Sequence, residues 1–224
     1  MDGLDDEVNA RSGIGMTSER TKMRMIEQLR KDGITDERVL GAMAELPRHA
    51  FVEEGIASRA YEDTPLPIGH GQTISSPFIV ALMTQLLLEN RTPAKVLEIG
   101  TGCGYQTAVL ARLVKEVYTL ERIAPLMDKA RGHLRDLRFY NVRFKHADGH
   151  AGYAVGGPYE GILSAASASH IPPALKEQLA VGGRLVLPVG TDDQWLYVID
   201  RTEKGFTEIK REAVRFVPLV PGLG

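Results

Sequence analysis

Three glycines in five residues, Gly100, Gly102 and Gly104, stand between the apolar run VLEI and the segment YQTAVLA. A chain leaving a buried strand through such a turn can take backbone angles closed to other residues and can approach a ligand closely. The helix that follows offers unpaired N–H groups and the positive end of its dipole to whatever occupies the turn. A plain strand-to-helix turn needs fewer glycines, so the spacing favours a binding loop. Two acids stand where a ligand in that loop would need acceptors. Glu121 closes the run EVYTLE, at the carboxyl end of the next expected strand. Asp148 and Gly149 follow the next apolar run, at a carboxyl end of the kind where α/β sheets bind ligands. Taken alone, Asp-Gly is as readily a turn; beside the loop and Glu121, binding is the expectation. A dinucleotide fingerprint, G-x-G-x-x-G, would want glycine at 105, where this chain has Tyr105. The spacing is instead G-x-G-x-G, preceded by Glu98.

A second polar stretch, GHGQTISSP, spans 69–77 and precedes a long apolar run. Pro77 suits a first helical position and Ser76 the N-cap before it, which gives Ser76 a structural reason to be there. Ser75 has no such duty and is the residue free to meet a ligand. It sits in no G-x-S-x-G elbow, so its expected role is hydrogen bonding and not nucleophilic attack. The six histidines are scattered without zinc spacing, and no metal is expected. His70 and His150 lie near these segments, with solvent-facing or structural roles as the default. Cys103 could be a thiol activated by the following helix, but packing against the ligand is the better reading. Trp195 lies in an alternating strand and is read as structural.

These residues need a scaffold, and the chain supplies an alternation. An N-terminal helix starts from Ser18 and stops at Gly33; a second runs from about Asp36 to Leu46, before Pro47. The segment 47–71 reads as irregular and extended, and PFIVALMTQLLLEN as a buried helix. Then come a strand at AKVLEIG, a helix at YQTAVLARLV, a strand at EVYTLE, a helix at APLMDKARGHLRDL and a strand at NVRFKHAD. EGILSAA is a short strand and PPALKEQLA a helix, while GRLVLPVG, QWLYVIDRT and GFTEIKREAVRFVPLV close the chain as strands. Such alternation predicts a mostly parallel sheet covered on both faces, with an antiparallel edge formed by the last strands. Residues 1–16 carry few apolar side chains and are expected to be a flexible leader to one domain over 17–224. There is no internal repeat and no low-complexity tract.

The composition is that of an ordinary globular protein, with 43% hydrophobic and 25% charged residues in a chain of 224. A formal charge of −2 gives no electrostatic case for nucleic acid or an anionic membrane as the main partner. One cysteine excludes an internal disulfide framework and any multi-cysteine metal site. No apolar stretch reaches a bilayer span, and no secretory pattern opens the chain. The expectation is a soluble cytoplasmic protein.

The glycine loop with Glu98 and Glu121 resembles the first motifs of the Rossmann-type methyltransferases, which bind S-adenosylmethionine. PIGHGQTISSPFIVALMTQLL, VLEIGTGCGYQTAVLA, GGRLVLPVG and VRFVPLV together resemble the protein-L-isoaspartate O-methyltransferases, over about Thr17 to Pro221. The PIG-x-GQTIS segment carries that narrower resemblance. It implies a Rossmann-like doubly wound α/β fold with an N-terminal helical extension. The implied activity is methylation of the α-carboxylate of L-isoaspartyl residues in damaged proteins and peptides. The ester then collapses to a succinimide that reopens partly to aspartate. S-adenosylmethionine is the implied methyl donor and S-adenosylhomocysteine the product, with isoaspartyl proteins as partners and a monomer as the working expectation.

The resemblance further implies Ser75 as the active-site residue. It implies substrate contacts from Pro67, Ile68, Gly69, His70, Gly71, Gln72, Thr73 and Ile74, with Val217 and Pro218 flanking the same cleft. Cofactor contacts map to Glu98, Gly100, Thr101, Gly102, Gly104, Tyr105, Glu121, Arg122, Asp148 and Gly149. The chain departs from the family at Cys103, often serine; at Glu160, usually Asp; and at SAASASH, Ser164 to His170, which lacks the usual Pro. A carboxylate acceptor is already ionised at neutral pH, so positioning and exclusion of water would dominate the chemistry. A nicotinamide dehydrogenase would also use Glu121 but is disfavoured by Tyr105. A cofactor-binding module without activity, and a methyltransferase for another carboxylate or a small molecule, are the remaining alternatives.

Overall fold

A computed structural model describes residues 15–224, with side chains described from Glu19 onward. The expected leader lies, over 1–14, outside the described residues. Helix α1 (Gly15–Lys31) begins three positions before Ser18, and so takes in Gly15 and Met16. Gly33 ends it at φ +99, letting Ile34 N–H reach back to the Leu29 carbonyl at 3.0 Å. Helix α2 (Glu37–Glu45) is capped by Asp36, whose side chain accepts from Arg38 N–H, and stops before Pro47.

The segment expected to be irregular holds more order than its pattern suggests. Two 3₁₀ turns, Arg48–Phe51 and Glu54–Arg59, lead into strands β1 (Leu66–Gly69) and β2 (Gln72–Ile74), which pair as an antiparallel hairpin. His70 and Gly71 form the turn, both at positive φ (53 and 68). That is the two-residue geometry that matches strand twist, here with histidine in place of the usual asparagine or aspartate.

Helix α3 (Pro77–Leu88) is apolar nearly all round because it is covered on two sides. Met83, Leu86 and Leu87 face the sheet, while Val80, Ala81 and Leu88 join a core with α1 and α2. Strands β3 (Lys95–Ile99), β4 (Glu116–Glu121), β5 (Val142–His146) and β6 (Tyr159–Ser164) alternate with helices α4 (Tyr105–Leu113) and α5 (Ala124–Asp136). A short α6 (Pro173–Glu177) precedes β7 (Leu179–Val189), β8 (Gln194–Thr202) and β9 (Gly205–Val214). The 7-stranded sheet runs β5-β4-β3-β6-β7-β8-β9, parallel through β7 and antiparallel beyond it. The expected doubly wound sheet with an antiparallel edge is therefore present.

Alternation along each strand sorts the core. Val96, Val117, Leu163 and Val186 meet α3 and α4, whereas Leu97, Ile99, Ile162, Leu185 and Leu187 meet the α6 side. After β3 the chain builds outward through β4 and β5, then returns to lay β6 on the other side of β3. Such a reversal opens a crevice at the carboxyl ends of β3 and β6. Two boundaries differ from expectation. Helix α6 has five residues because β7 already starts at Leu179, and β9 ends at Val214, so VRFVPLV is not a strand. That tail leaves the sheet edge and crosses the crevice, where Pro218 bridges Ser167.

Candidate active site

The crevice is a partly open cleft of about 860 Å³, a figure that includes the solvent at its mouth. The glycine turn forms its floor. Gly100, Gly102 and Gly104 all have positive φ (89, 54 and 89), and Gly100 and Gly102 line the cleft. Gly104 does not; a Cβ there would lie 2.6 Å from Leu134 Cδ1, so its place is the close approach of the turn to α5. Gly149 has a similar reason, since a Cβ would sit 2.3 Å from Ile99 Cγ2, but it also borders the cleft.

Glu121 ends β4, 6% exposed, and faces the turn. Its Oε2 accepts from Gly102 N–H and its Oε1 from Ile123 N–H, each at 2.9 Å. Each oxygen keeps a lone pair for a hydroxyl in the cleft. Glu98 has a different position. It lies wholly buried between β3 and α4, where Thr107 and Thr119 donate to Oε2 at 2.5 and 2.6 Å. Burial drives its pKa up to about 8, the two threonine hydrogen bonds pull it down, and Oε1 has no partner. Glu98 therefore braces the strand beneath the turn and is not part of the cleft lining.

Asp148 is likewise not on the lining. Its Oδ1 accepts from His150 N–H at 2.9 Å, and its Oδ2 from Gly222 N–H at 2.7 Å. Burial raises its pKa, but the hydrogen bonds from Gly222 and His150 outweigh it and hold the carboxyl below its ordinary value. Arg122, which does line the cleft, donates from Nε to the Gly222 carbonyl at 2.9 Å. Both residues thus clasp the C-terminal tail over the end of the cleft beside Glu121. Val217 and Pro218 lie on the cleft, held by Ser167 N–H to the Val217 carbonyl and Leu219 N–H to the Ser167 carbonyl. The SAASASH departure is this wall: Ala165 and Ala166 line it, and Ser167 ties the tail to the Gly190 carbonyl. Glu160 sits at the far end of the sheet, accepting from Ala94 N–H.

The opposite wall comes from the hairpin and the start of α3. Ile68, Gln72, Thr73, Ile74 and Ser75 line the cleft. Pro67, Gly69, His70 and Gly71 do not, because alternate residues of β1 point outward and the turn projects into solvent. Ser76 caps α3, its side chain accepting from Ile79 N–H, and leaves the Ser75 hydroxyl outside the cap. Behind Ser75, the Arg48 guanidinium donates from Nη2 to the Ser75 carbonyl at 2.6 Å. Thr101, Tyr105 and Cys103 complete the lining on the glycine side. Cys103 is buried, and burial pushes its thiol up to about 11, so it packs and is not an activated nucleophile.

Sequence reasoning did not single out Gln106, Ile123, Ala147, Ala165, Ala166, Leu219 or Val220 as lining residues. Ile123 and Ala147 follow strand ends and were within reach of the carboxyl-end rule. Gln106 and the alanines carry no signal in their type.

A doubly wound sheet with a G-x-G-x-G turn, a carboxylate closing the next strand and a cleft at the switch point defines a Rossmann-like S-adenosylmethionine-dependent methyltransferase. Residues 19–224 match the family model described as protein-L-isoaspartate(D-aspartate) O-methyltransferase. The protein-L-isoaspartate O-methyltransferase of Dechloromonas aromatica is 60% identical over 211 residues, covering 94% of this chain and 98% of the relative. That of Methylobacillus flagellatus is 58% identical over 217 residues, covering 95% and 97%. A Plasmodium falciparum structure described as a protein-L-isoaspartate O-methyltransferase, in complex with S-adenosyl-L-homocysteine, is similar with TM-score 0.79 and 28% identity. It covers 89% of this chain and 98% of its own. The chain belongs to the protein-L-isoaspartate(D-aspartate) O-methyltransferase family.

Proposed function

We propose that the protein transfers a methyl group from S-adenosylmethionine to the α-carboxylate of L-isoaspartyl residues in damaged proteins and peptides. The observation that carries this reading is the facing of Ser75 and the glycine turn across one cleft, in a chain of this family. The cleft fits the donor. Gly100 and Gly102 leave the floor free of side chains, and Glu121 offers two carboxylate oxygens beside it. Gly100, Gly102, Thr101 and Glu121 are the proposed holders, with Arg122 and Gly149 at the tail-covered end. Tyr105 and Gly104 shape the turn, and Glu98 and Asp148 are assigned support of β3 and of the tail.

S-adenosylmethionine, when bound, supplies an electrophilic methyl on a sulfonium centre. The acceptor carboxylate arrives ionised, so no protein group has to remove a proton. Ser75 is assigned the hydrogen bond that orients one carboxylate oxygen, with its hydroxyl donating. Gln72, Thr73 and Ile74 are assigned the peptide on either side, and Val217 and Pro218 the opposite flank. Together with the tail they exclude water, which leaves alignment of the reacting atoms as the main source of acceleration. The methyl ester leaves the enzyme. Attack by the following backbone nitrogen then expels methanol and closes the succinimide, and water reopens the ring partly to aspartate.

Residues 17–224 are taken as one domain, monomeric and cytoplasmic, with neither nucleic acid nor membrane as a partner. The lone buried Cys103 and the near-neutral charge support that setting. Chromatography of an isoaspartyl peptide incubated with enzyme and S-adenosylmethionine tests the reading. A succinimide peak followed by the aspartyl peptide is expected. An unchanged peptide, with S-adenosylmethionine binding intact, contradicts it.

A further inference from the structure

Arg48 is 0% exposed, one of the largest fully buried side chains in the protein. Its Nε donates to the Ala60 carbonyl at 2.7 Å and its Nη2 to the Ser75 carbonyl at 2.6 Å. The guanidinium carbon lies 4.7 Å from the centre of the Tyr105 ring. Among the described residues no carboxylate comes within ion-pair distance of it, and its Nη1 has no hydrogen-bond partner. The buried Tyr105 hydroxyl also has no partner of good hydrogen-bond geometry, and the guanidinium and this hydroxyl act chiefly on each other. Burial lowers the Arg48 pKa from its ordinary value, yet a guanidinium remains charged at neutral pH. A whole positive charge is thus held in a dry site, sandwiched between two residues, Ser75 and Tyr105, that both line the cleft.

A buried cation with no carboxylate at ion-pair distance is costly, and although Arg48 satisfies the Ala60 and Ser75 carbonyls, those two hydrogen bonds do not by themselves require a full charge. Its neighbourhood makes the charge useful. Ser75 is also the residue immediately before the N-cap of α3, so the positive end of that helix faces the same point. The charged residues on the cleft lining itself, Glu121 and Arg122, both sit at the end of β4. At the Ser75 end the positive potential comes from Arg48 and α3, opposed in part by Asp63, whose Oδ1 accepts from Phe78 N–H at 2.8 Å in the first turn of α3.

We infer that Arg48 is the residue that makes the Ser75 end of the cleft select an ionised carboxylate over its neutral derivatives. This rests on the proposed function, in which Ser75 meets the acceptor carboxylate. Arg48 does not touch substrate; it acts through the Ser75 peptide and is a positioning and specificity residue. The sign of its effect on the reaction follows from charge balance. The carboxylate oxygen forms the new bond to the methyl carbon as the carbon–sulfur bond breaks. The carboxylate loses its negative charge and the sulfonium its positive one. A fixed cation behind the carboxylate therefore favours the bound substrate more than the transition state, and favours the neutral ester least. The Arg48 charge serves capture of the anion and release of the ester, and slightly opposes the methyl-transfer step itself.

The test uses the full chain with S-adenosylhomocysteine bound. Two matched peptides are titrated, one carrying the isoaspartyl α-carboxylate and the other its α-carboxamide. Wild type is expected to bind the carboxylate about tenfold or more tightly, the scale of one charge-assisted interaction. Arg48→Met is expected to bring the two affinities to near equality with S-adenosylhomocysteine affinity unchanged. In turnover it should raise KM for the isoaspartyl peptide and leave kcat equal or higher. Arg48→Lys, which keeps the charge, should keep most of the preference and carries the test if Arg48→Met does not fold. The inference is overturned by equal affinities in wild type, by a preference that survives Arg48→Met, by its loss in Arg48→Lys, or by a fall in kcat at constant KM. Wild type that methylates no isoaspartyl peptide overturns the proposed function; normal methylation with the preference intact in Arg48→Met overturns the inference alone.

Discussion

Gly102 donates its backbone N–H to Glu121 Oε2 at 2.9 Å, so the glycine turn and the acid that closes β4 act as one unit. The bond fixes the carboxylate towards the cleft and holds the turn in its left-handed conformation at the same time. Losing the acid should therefore cost cofactor binding in two ways, through the missing acceptor and through a loosened turn.

Glu121→Ala is expected to weaken S-adenosylhomocysteine binding by about 10- to 100-fold, the scale of one or two hydrogen bonds to a charged group. Calorimetric titration reads it directly. Glu98→Ala should leave much more of the affinity, because Glu98 lies behind the strand and off the lining. Equal losses in the two variants would contradict the division drawn between them.

Ser75→Ala is expected to lower turnover by about 10- to 100-fold through a misaligned acceptor, with S-adenosylmethionine affinity unchanged. Ser76→Ala should instead cost about 1 kcal/mol of stability as a lost N-cap. Steady-state kinetics and thermal unfolding of both variants separate the two serines. A Ser75→Ala enzyme with full turnover would remove that residue from the site.

Two glycines on facing segments should respond with opposite signs. Gly104 has φ +89, and a Cβ would meet Leu134 Cδ1 at 2.6 Å, so Gly104→Ala should destabilise by about 2–4 kcal/mol from strain and overpacking. Gly132 lies within α5 with nothing near its Cβ position, and Gly132→Ala should stabilise by about 0.4–1 kcal/mol. Denaturant titration of both checks the pair.

Glu98 gives the protein a pH dependence of stability. Its folded pKa, raised to about 8 by burial, lies above the ordinary 4.5, so the folded state keeps a proton that the unfolded state has lost between those values. Stability from this group is complete below pH 4.5 and is lost as pH rises towards 8, by up to about 1.4 kcal/mol per pH unit. Glu98→Gln should flatten that decline. Denaturant titrations at pH 6 and pH 8 measure it, and an equal decline in both proteins would contradict the assignment to Glu98.

Legibility followed the range of the interaction. The turn at Gly100–Gly104, the acid Glu121 at the end of β4 and the N-cap at Ser76 all depend on neighbours along the chain, and their residue types state what the backbone needs. The alternation of β3 to β7 with helices was readable for the same reason. Glu98 and Asp148 show where that reasoning stops. Strand parity sends Glu98 inward to Thr107 and Thr119, and Asp148 is engaged by Gly222 from the far end of the chain. The hairpin hid because its strands are too short for a periodic pattern, and with it went the distinction between inward Ile68 and outward Pro67. Arg48 gave no signal at all, since its role depends on a carbonyl 27 residues away.

Methyl transfer itself is tested most directly with methyl-labelled S-adenosylmethionine and two peptides identical except for an isoaspartyl or an aspartyl linkage. Base-labile label on the isoaspartyl peptide alone is the expected result. Label on both peptides, or on neither while S-adenosylmethionine binding is intact, would contradict isoaspartyl carboxyl methylation as the function of this protein.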